Sequence, residues 1–260
     1  MPELAEVALY ARDLNNAIAS AKLRGVSFPN RRDWGQKIIP PRIQRLLSGL
    51  IGERITFYSK GKALYVSNNV DPVAEFRLGM TGQFHRQPLL GKWKRHCFLN
   101  LEFDGFTLNY ADPRRFGRVK EPLENNSAIG GYNLKNGFWL QKQLILPFGY
   151  LTRPRISWLL GTGDRTGIGN YLANEALGIM RLSPFEPCRN ESEAVRLLKK
   201  CGEIARKSFA AGGNSFGTKF YDIDGIEGKY SELCRFYQNA KVPRMMYRGR
   251  PLFTHFKSKD

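Results

Sequence analysis

The chain has no long hydrophobic run. Stretches such as Leu144-Ile145-Leu146 and Phe98-Leu99 fall far short of the roughly 20 apolar residues that a membrane-spanning helix needs, so no helical membrane segment is expected. A secretory leader is not expected either, because Glu3 and Glu6 stand where a signal peptide carries basic residues. Cysteine and histidine are scarce. Cys97, Cys188, Cys201 and Cys234 are widely scattered with no C-x-x-C pair, and His85, His96 and His255 form no ligand pair. That pattern argues against a disulfide frame and against a zinc site. It fits reduced thiols in an intracellular protein. Repeats and low-complexity tracts are also lacking. Acidic residues are the final shortage. Asp and Glu number 23 against 41 Lys and Arg, for a formal net charge of +18. A charge of that size favours a polyanionic partner and disfavours an enzyme specialised for acidic small molecules.

What is present is a globular composition. Of 260 residues, 42% are hydrophobic and 25% charged, more apolar content than a disordered chain carries. One or two domains with real cores fit this length. Leu4, Val7, Ala8, Ala11, Leu14, Ala17 and Ile18 recur at helical steps, which predicts an opening helix over 3–21. Residues 26–120 read as strand-rich. Thr56-Phe57-Tyr58 and Ala63-Leu64-Tyr65-Val66 flank Lys60-Gly61-Lys62, and 98–103 and 106–110 flank Asp104-Gly105. Both patterns predict hairpins. The polar, turn-rich stretch 123–140 reads as a linker between a β-rich domain over 1–122 and a helical domain over 141–260. Helical spacing falls at 155–160, 169–179 and 191–209, and 211–215 must be a loop. The last 30 residues alternate basic, aromatic and turn residues in the manner of a β-hairpin. The expected class is α+β.

Four segments carry candidate chemistry. Removal of Met1 would make Pro2 a free secondary amine, and an α-amino group with a pKa of roughly 7.7–8.0 is partly unprotonated near neutrality. Such an amine can attack a sugar C1′ and form an iminium. Glu3 and Glu6 stand beside it as acid/base or orienting groups. Proline and glutamate in a first helical turn also serve as plain helix-start residues, so this feature alone fits either reading. The stretch 109–118 contains Asp112-Pro113-Arg114-Arg115-Phe116-Gly117, a basic turn with an aromatic among arginines. It fits a wedge entering a duplex as well as a solvated turn with Phe116 packed inward. The stretch 167–177 is a glycine-rich turn leading into a helix. It could hold a phosphate, with Asn170 as an added donor, or simply connect two helices. It lacks the Lys-Ser/Thr of a nucleotide P-loop. Arg77-Leu78-Gly79-Met80-Thr81-Gly82 alone is a turn, with Met80 suited to a core.

Taken in order, these segments resemble the formamidopyrimidine-DNA glycosylase/endonuclease VIII family of base-excision repair enzymes. The opening is similar to the family's P-E-x-x-E start. Lys62 falls where the family keeps a hairpin lysine. Leu78-Gly79-Met80-Thr81-Gly82 is similar to its L-G-M-S-G, and Asp112 to Gly117 matches its D-P-R-R-F-G. Residues 167–177 resemble its helix-two-turn-helix signature.

The resemblance implies an N-terminal β-sandwich with a leading helix, then a helix-two-turn-helix domain with a C-terminal hairpin finger over about 232–258. It implies a bifunctional glycosylase and abasic-site lyase. Pro2 is then the nucleophile, Glu3 the acid/base on the sugar, Glu6 its support, and Lys62 a phosphate contact that assists β,δ-elimination. Met80, Arg114 and Phe116 would fill the hole left by a flipped base, Asn170 would hold a phosphate, and His96 falls near a DNA contact. No cysteine follows Cys234, so the finger resembles the zincless kind, with Arg250 as its phosphate-gripping catalytic arginine and no metal or other cofactor. Ala5 is a milder departure from the family pattern.

Lesion choice divides. Residues 167–172 and 183–186 resemble the eukaryotic endonuclease VIII-like branch, whereas 211–228 resemble the loop that covers 8-oxoguanine. A broad range including formamidopyrimidines and oxidised pyrimidines is expected. The expected partner is double-stranded DNA with an oxidised base or abasic site, bound by a monomer away from membranes. The expected place is intracellular: cytoplasm and nucleoid in a bacterium, nucleus in a eukaryote. Two other classes compete: a non-catalytic damaged-DNA-binding relative of the same fold, and a general basic RNA-binding protein.

Overall fold

Helix α1 (Leu4–Ile18) runs between two hydrophobic cores and is buried on nearly every side. A computed structural model describes residues 2–30, 37–68, 70–86, 88–122, 130–133, 137–140, 149–215 and 220–257, without the side chains of 139, 140 and 164. Met1, the whole apolar run at 144–148 and Phe216 lie outside that set. Helix α1 stops at Ile18, short of the expected residue 21, because Ala19 turns to φ +45. Val7, Tyr10, Leu14 and Ile18 face the first core, and Leu4 and Ala5 face the second. The face of Arg12, Asp13 and Asn16 reaches solvent, and the helix joins the two halves of the molecule.

Two four-stranded antiparallel sheets build the first half. One has the order β1 (Gly25–Ser27), β6 (Cys97–Phe103), β7 (Phe106–Ala111), β5 (Gln83–His85). The other has the order β2 (Thr56–Lys60), β3 (Ala63–Ser67), β4 (Pro72–Arg77), β8 (Arg118–Lys120). The two expected hairpins are β2–β3, closing at Lys60 opposite Ala63, and β6–β7, closing at Phe103 opposite Phe106. Inward aromatics lock the sheets face to face. Phe76 of β4 lies 5.3 Å from Phe84 of β5 and 5.5 Å from Tyr110 of β7, ring centre to ring centre. These are edge-on distances at which aromatic pairs attract. Short helices α2 (Pro41–Ser48) and α3 (Gly91–Arg95) flank the sandwich.

The span read as a linker, 123–140, contains a hairpin. Strands β9 (Gly130–Asn133) and β10 (Gly137–Leu140) pair with each other. Gly61 donates to Gly130 O at 3.0 Å, and Tyr132 N–H donates to Ser59 Oγ at 2.8 Å. Gly131 is needed there, because a Cβ would run into Ser59 O. The glycines that suggest a linker in sequence instead permit close backbone packing.

The second half is helical: α4 (Arg155–Gly161), α5 (Gly163–Thr166), α6 (Asn170–Ile179) and α7 (Glu191–Ala210). Trp158, Leu172, Leu197 and Ile204 pack in its core. The C-terminal hairpin, β11 (Arg244–Tyr247) and β12 (Arg250–Phe253), turns through Arg248 and Gly249. It docks on α6: Asn170 Nδ2 donates to Pro251 O at 2.8 Å, and Asn174 Oδ1 accepts from Phe253 N–H at 2.7 Å. Glu175 takes N–H groups from Arg235, Phe236 and Tyr237 at 3.1, 2.6 and 2.6 Å. Among the described residues no cluster of three Cys, His, Asp or Glu could hold a metal ion, and no helix is long and apolar enough to cross a membrane.

Candidate active site and nucleic-acid interface

Glu3 is the hinge of the site. Its Oε2 accepts from Gly169 N–H at 2.8 Å and Leu172 N–H at 3.3 Å, and its Oε1 from Tyr171 N–H at 3.1 Å. Helix α6 has no side-chain cap of its own, so Glu3 satisfies its free amides across a gap of more than 160 residues. The helix dipole favours negative charge there. Gly169 leaves room for this seat, because a Cβ there would displace the Glu3 carboxyl. Burial nevertheless dominates. It pushes the Glu3 pKa from 4.5 to about 7, and Glu6 adds to the rise. Lys62 and the Tyr171 N–H pull it back.

Glu6 is buried and takes four donors. Oε2 accepts from Glu3 N–H at 2.9 Å. Oε1 lies 3.1 Å from the hydroxyls of both Tyr171 and Ser208 and 3.2 Å from Asn214 N–H. This arrangement fixes the peptide that carries Pro2. It also ties that peptide to α6, α7 and the 211–215 loop.

Pro2 is half-buried at the wall of a cleft of about 380 Å³. Lys62, Arg77, Arg118 and Lys120 line it, with Leu78, Gly79 and Phe116. Lys62 Nζ donates to Ile168 O at 3.0 Å, so the β2–β3 turn reaches across to the α6 start. Beneath the cleft, the buried Glu75 carboxylate lies 2.5 Å from Arg77 Nε and 3.5 Å from Lys120 Nζ.

Asp112 organises the arginine-rich turn. Its two oxygens accept from Thr81 Oγ1 at 2.5 Å and Gly117 N–H at 2.6 Å. That ties the 112–117 turn to the loop holding Met80. Gly79 takes φ +63, and a Cβ there would meet the backbone of Phe116. Arg115 also adopts a left-handed conformation, φ +60. Phe116 consequently points outward with 54% of its surface exposed, and the Arg114 guanidinium lies 4.7 Å from its ring centre. A phenylalanine held out by a rigid turn is not a core residue.

The expected residues therefore divide. Pro2, Lys62 and Phe116 share one cleft, with Glu3 beside Lys62 and with Arg114 and the half-buried Met80 on the two loops at its rim. His96 ends α3 and joins the arginine turn through its backbone, accepting from Asp112 N–H at 3.0 Å. Burial, then Arg115 and Arg95, hold its imidazole below the usual histidine range. Asn170 opens α6 but gives its amide to the hairpin. Arg250 lines a separate cleft with Arg153, Ser157 and Arg248. The sequence reading missed Arg77, Arg118 and Lys120 as cleft cations, and Tyr171 and Ser208 as partners of Glu6. Arg118 and Lys120 alternate on β8, which is the pattern that puts two side chains on one sheet face. Nothing local marks Ser208.

Comparisons with known proteins place the chain among relatives. The family profile of the Formamidopyrimidine-DNA glycosylase N-terminal domain matches residues 1–119. The formamidopyrimidine-DNA glycosylase of Thermus thermophilus is 30% identical over 266 residues, covering 94% of this chain and 89% of the relative. That of Zymomonas mobilis is 29% identical, covering 90% and 91%. The crystal structure of the Thermus thermophilus protein superposes with a TM-score of 0.71 at 26% identity, over 97% of both chains. A Lactococcus lactis Fpg, crystallised with DNA containing an oxidised pyrimidine, shares the fold at 19% identity with a TM-score of 0.72, over 97% of both chains. The chain belongs to the formamidopyrimidine-DNA glycosylase family.

Proposed function

We propose that this protein is a DNA repair glycosylase with abasic-site lyase activity, acting on oxidised bases in duplex DNA. The observation that carries the reading is Pro2 at the wall of a cationic cleft, next to a buried carboxyl whose pKa lies near neutrality. With Met1 removed, the Pro2 nitrogen lone pair attacks C1′ of the damaged nucleotide. The C1′–base bond breaks and the base departs with a proton. The amine loses its proton, and its lone pair then opens the C1′–O4′ bond as O4′ takes a proton. The resulting C1′=N iminium of the ring-opened sugar acidifies the C2′ proton. Loss of that proton expels the 3′ phosphate, and a second elimination expels the 5′ phosphate. Glu3 supplies and takes protons at the sugar, which suits a carboxyl titrating near the working pH. Glu6 holds the Pro2–Glu3 peptide at its angle. Lys62, with Arg77, Arg118 and Lys120, attracts the flanking phosphates.

Phe116 is the wedge. It enters the stack as the base leaves, with Met80 and Arg114 filling the vacated space, and His96 contacts the backbone beside the turn. Arg250 holds a backbone phosphate at the hairpin, and Asn170 takes another at the α6 start by turning its amide away from Pro251 O. The hairpin works as a zincless finger, held by Asn170, Asn174 and Glu175 in place of a metal. The substrate range spans formamidopyrimidines and oxidised pyrimidines. Two observations favour it: the relatives carry the formamidopyrimidine name, and a protein of the same fold was crystallised on an oxidised pyrimidine. The protein acts inside the cell as a monomer.

The test is incision of labelled duplexes bearing a formamidopyrimidine, 8-oxoguanine or an oxidised pyrimidine, by the protein and by Pro2→Gly. Incision of the first and third by the parent, and a loss of at least about 100-fold in the variant with DNA affinity within a few-fold, is the expected result. Full incision by Pro2→Gly would sink the proline mechanism.

A further inference from the structure

The hairpin tip and α4 enclose a second cleft, of about 330 Å³. Arg153, Ser157, Arg248 and Arg250 line it, with Leu160 and Tyr247. Its charge has one sign. All three arginines are exposed, and no carboxylate is among its described lining residues. Separate elements bring the guanidiniums together. A turn opened by Gly149 at φ +93 places Arg153, whose N–H donates to Gly149 O at 3.0 Å. The hairpin carries the other two. Arg248 Nη1 donates to Ser157 Oγ at 3.3 Å, and its guanidinium lies 5.6 Å from the centre of the Tyr247 ring.

Arg248 sits in an unusual place. The turn between β11 and β12 has two residues, with φ +48 at Arg248 and φ +74 at Gly249. Two-residue hairpin turns of that hand favour Asn, Asp or Gly at the first position. A long cationic side chain is uncommon there, and it shares the cleft with two like charges. An anion between the three forks would relieve the repulsion. Pro251, next to Arg250, accepts from Asn170, so the hairpin that carries two of the arginines is tied to the start of α6, which Glu3 caps.

We propose that Arg153, Arg248 and Ser157, flanked by Arg250, form a second phosphodiester site that takes one backbone phosphate of bound DNA outside the nucleotide under attack. The proposal rests on the DNA-binding reading above. Planar guanidinium forks and a hydroxyl donor match the several acceptor oxygens of a phosphate, and the arginines stay charged at any working pH.

The test is equilibrium binding, by fluorescence anisotropy, to a duplex carrying a tetrahydrofuran abasic analogue. Such a site has no aldehyde, so the readout is independent of cleavage. The protein and the double variant Arg153→Ala/Arg248→Ala are compared across a salt series. They are also compared on duplexes with a single neutral methylphosphonate moved along each strand. The double variant is expected to lower the salt slope by about one unit. One methylphosphonate position is expected to weaken the parent about tenfold and the variant not at all. An unchanged slope overturns the proposal. A lowered slope with no such position indicates a diffuse field and overturns it too. Loss of inorganic phosphate binding by calorimetry, with DNA binding untouched, would assign the cleft to a free anion and overturn the DNA placement. A parent protein that fails to bind the duplex at all would instead bring down the underlying DNA reading.

Discussion

At the scale of single residues, Glu3 decides most. Its carboxyl faces three amides and an ammonium that favour the charged form, yet burial outweighs them and the pKa lies at about 7. The folded-state value exceeds the ordinary carboxyl value of 4.5, so the folded protein binds the proton more tightly. Stability from this group is complete below about 4.5 and is lost as pH rises through about 7. The rate should follow a related course. If protonated Glu3 acts as the acid, glycosylase turnover should decline above pH 7, and Glu3→Gln should lose most activity together with that alkaline limb. A pH profile of single-turnover rates checks this, and an unchanged limb in Glu3→Gln would assign it to another group.

Phe116 gives a second prediction at this scale. Its ring is exposed and carried by a turn that Asp112 ties down. Phe116→Ala should slow excision of a paired damaged base about 10-fold or more, since unstacking costs a few kcal/mol. It should slow strand cutting at a preformed abasic site far less, as parallel rate measurements on the two duplexes will show. Equal losses would remove the wedge role. Phe116 and Asp112 were legible in sequence because the whole turn lies within six residues. The bonds to Glu6 were not, because Tyr171, Ser208 and Asn214 reach it from more than 160 residues away.

At the scale of elements, the start of α6 is the critical joint. Glu3 caps it, Lys62 reaches its preceding carbonyl, and Asn170 links it to the hairpin. Gly169→Ala puts a methyl group where the Glu3 carboxyl lies. A displaced acid group costs rate steeply, by about 100-fold for a shift near 1 Å. The variant should fold, bind DNA within a few-fold of the parent and turn over at least about 100-fold more slowly. Normal kinetics would show that Glu3 does not need that seat. Helical periodicity located α6, α7 and α1 to within a few residues, and the turns Asp104-Gly105 and Lys60-Gly61-Lys62 located two hairpins. Strands β9 and β10 escaped, because their glycines answer to tertiary contact with Ser59 and not to local turn chemistry.

At the scale of the whole molecule, α1 unites sandwich and helical half, and the N-terminus therefore emerges between them. Pro2 is thereby set against the cationic cleft, where removal of Met1 would leave a free amine, in a chain whose +18 charge favours a polyanionic partner. Covalent capture is the most direct test of that assembly. Borohydride is added to the protein and a labelled duplex with one abasic site, and the N-terminus is read by mass spectrometry. The account predicts a protein–DNA adduct through Pro2 of Met1-free protein. Absence of an adduct from Met1-free protein that still binds the duplex would contradict it, and would leave a DNA-binding relative without the chemistry.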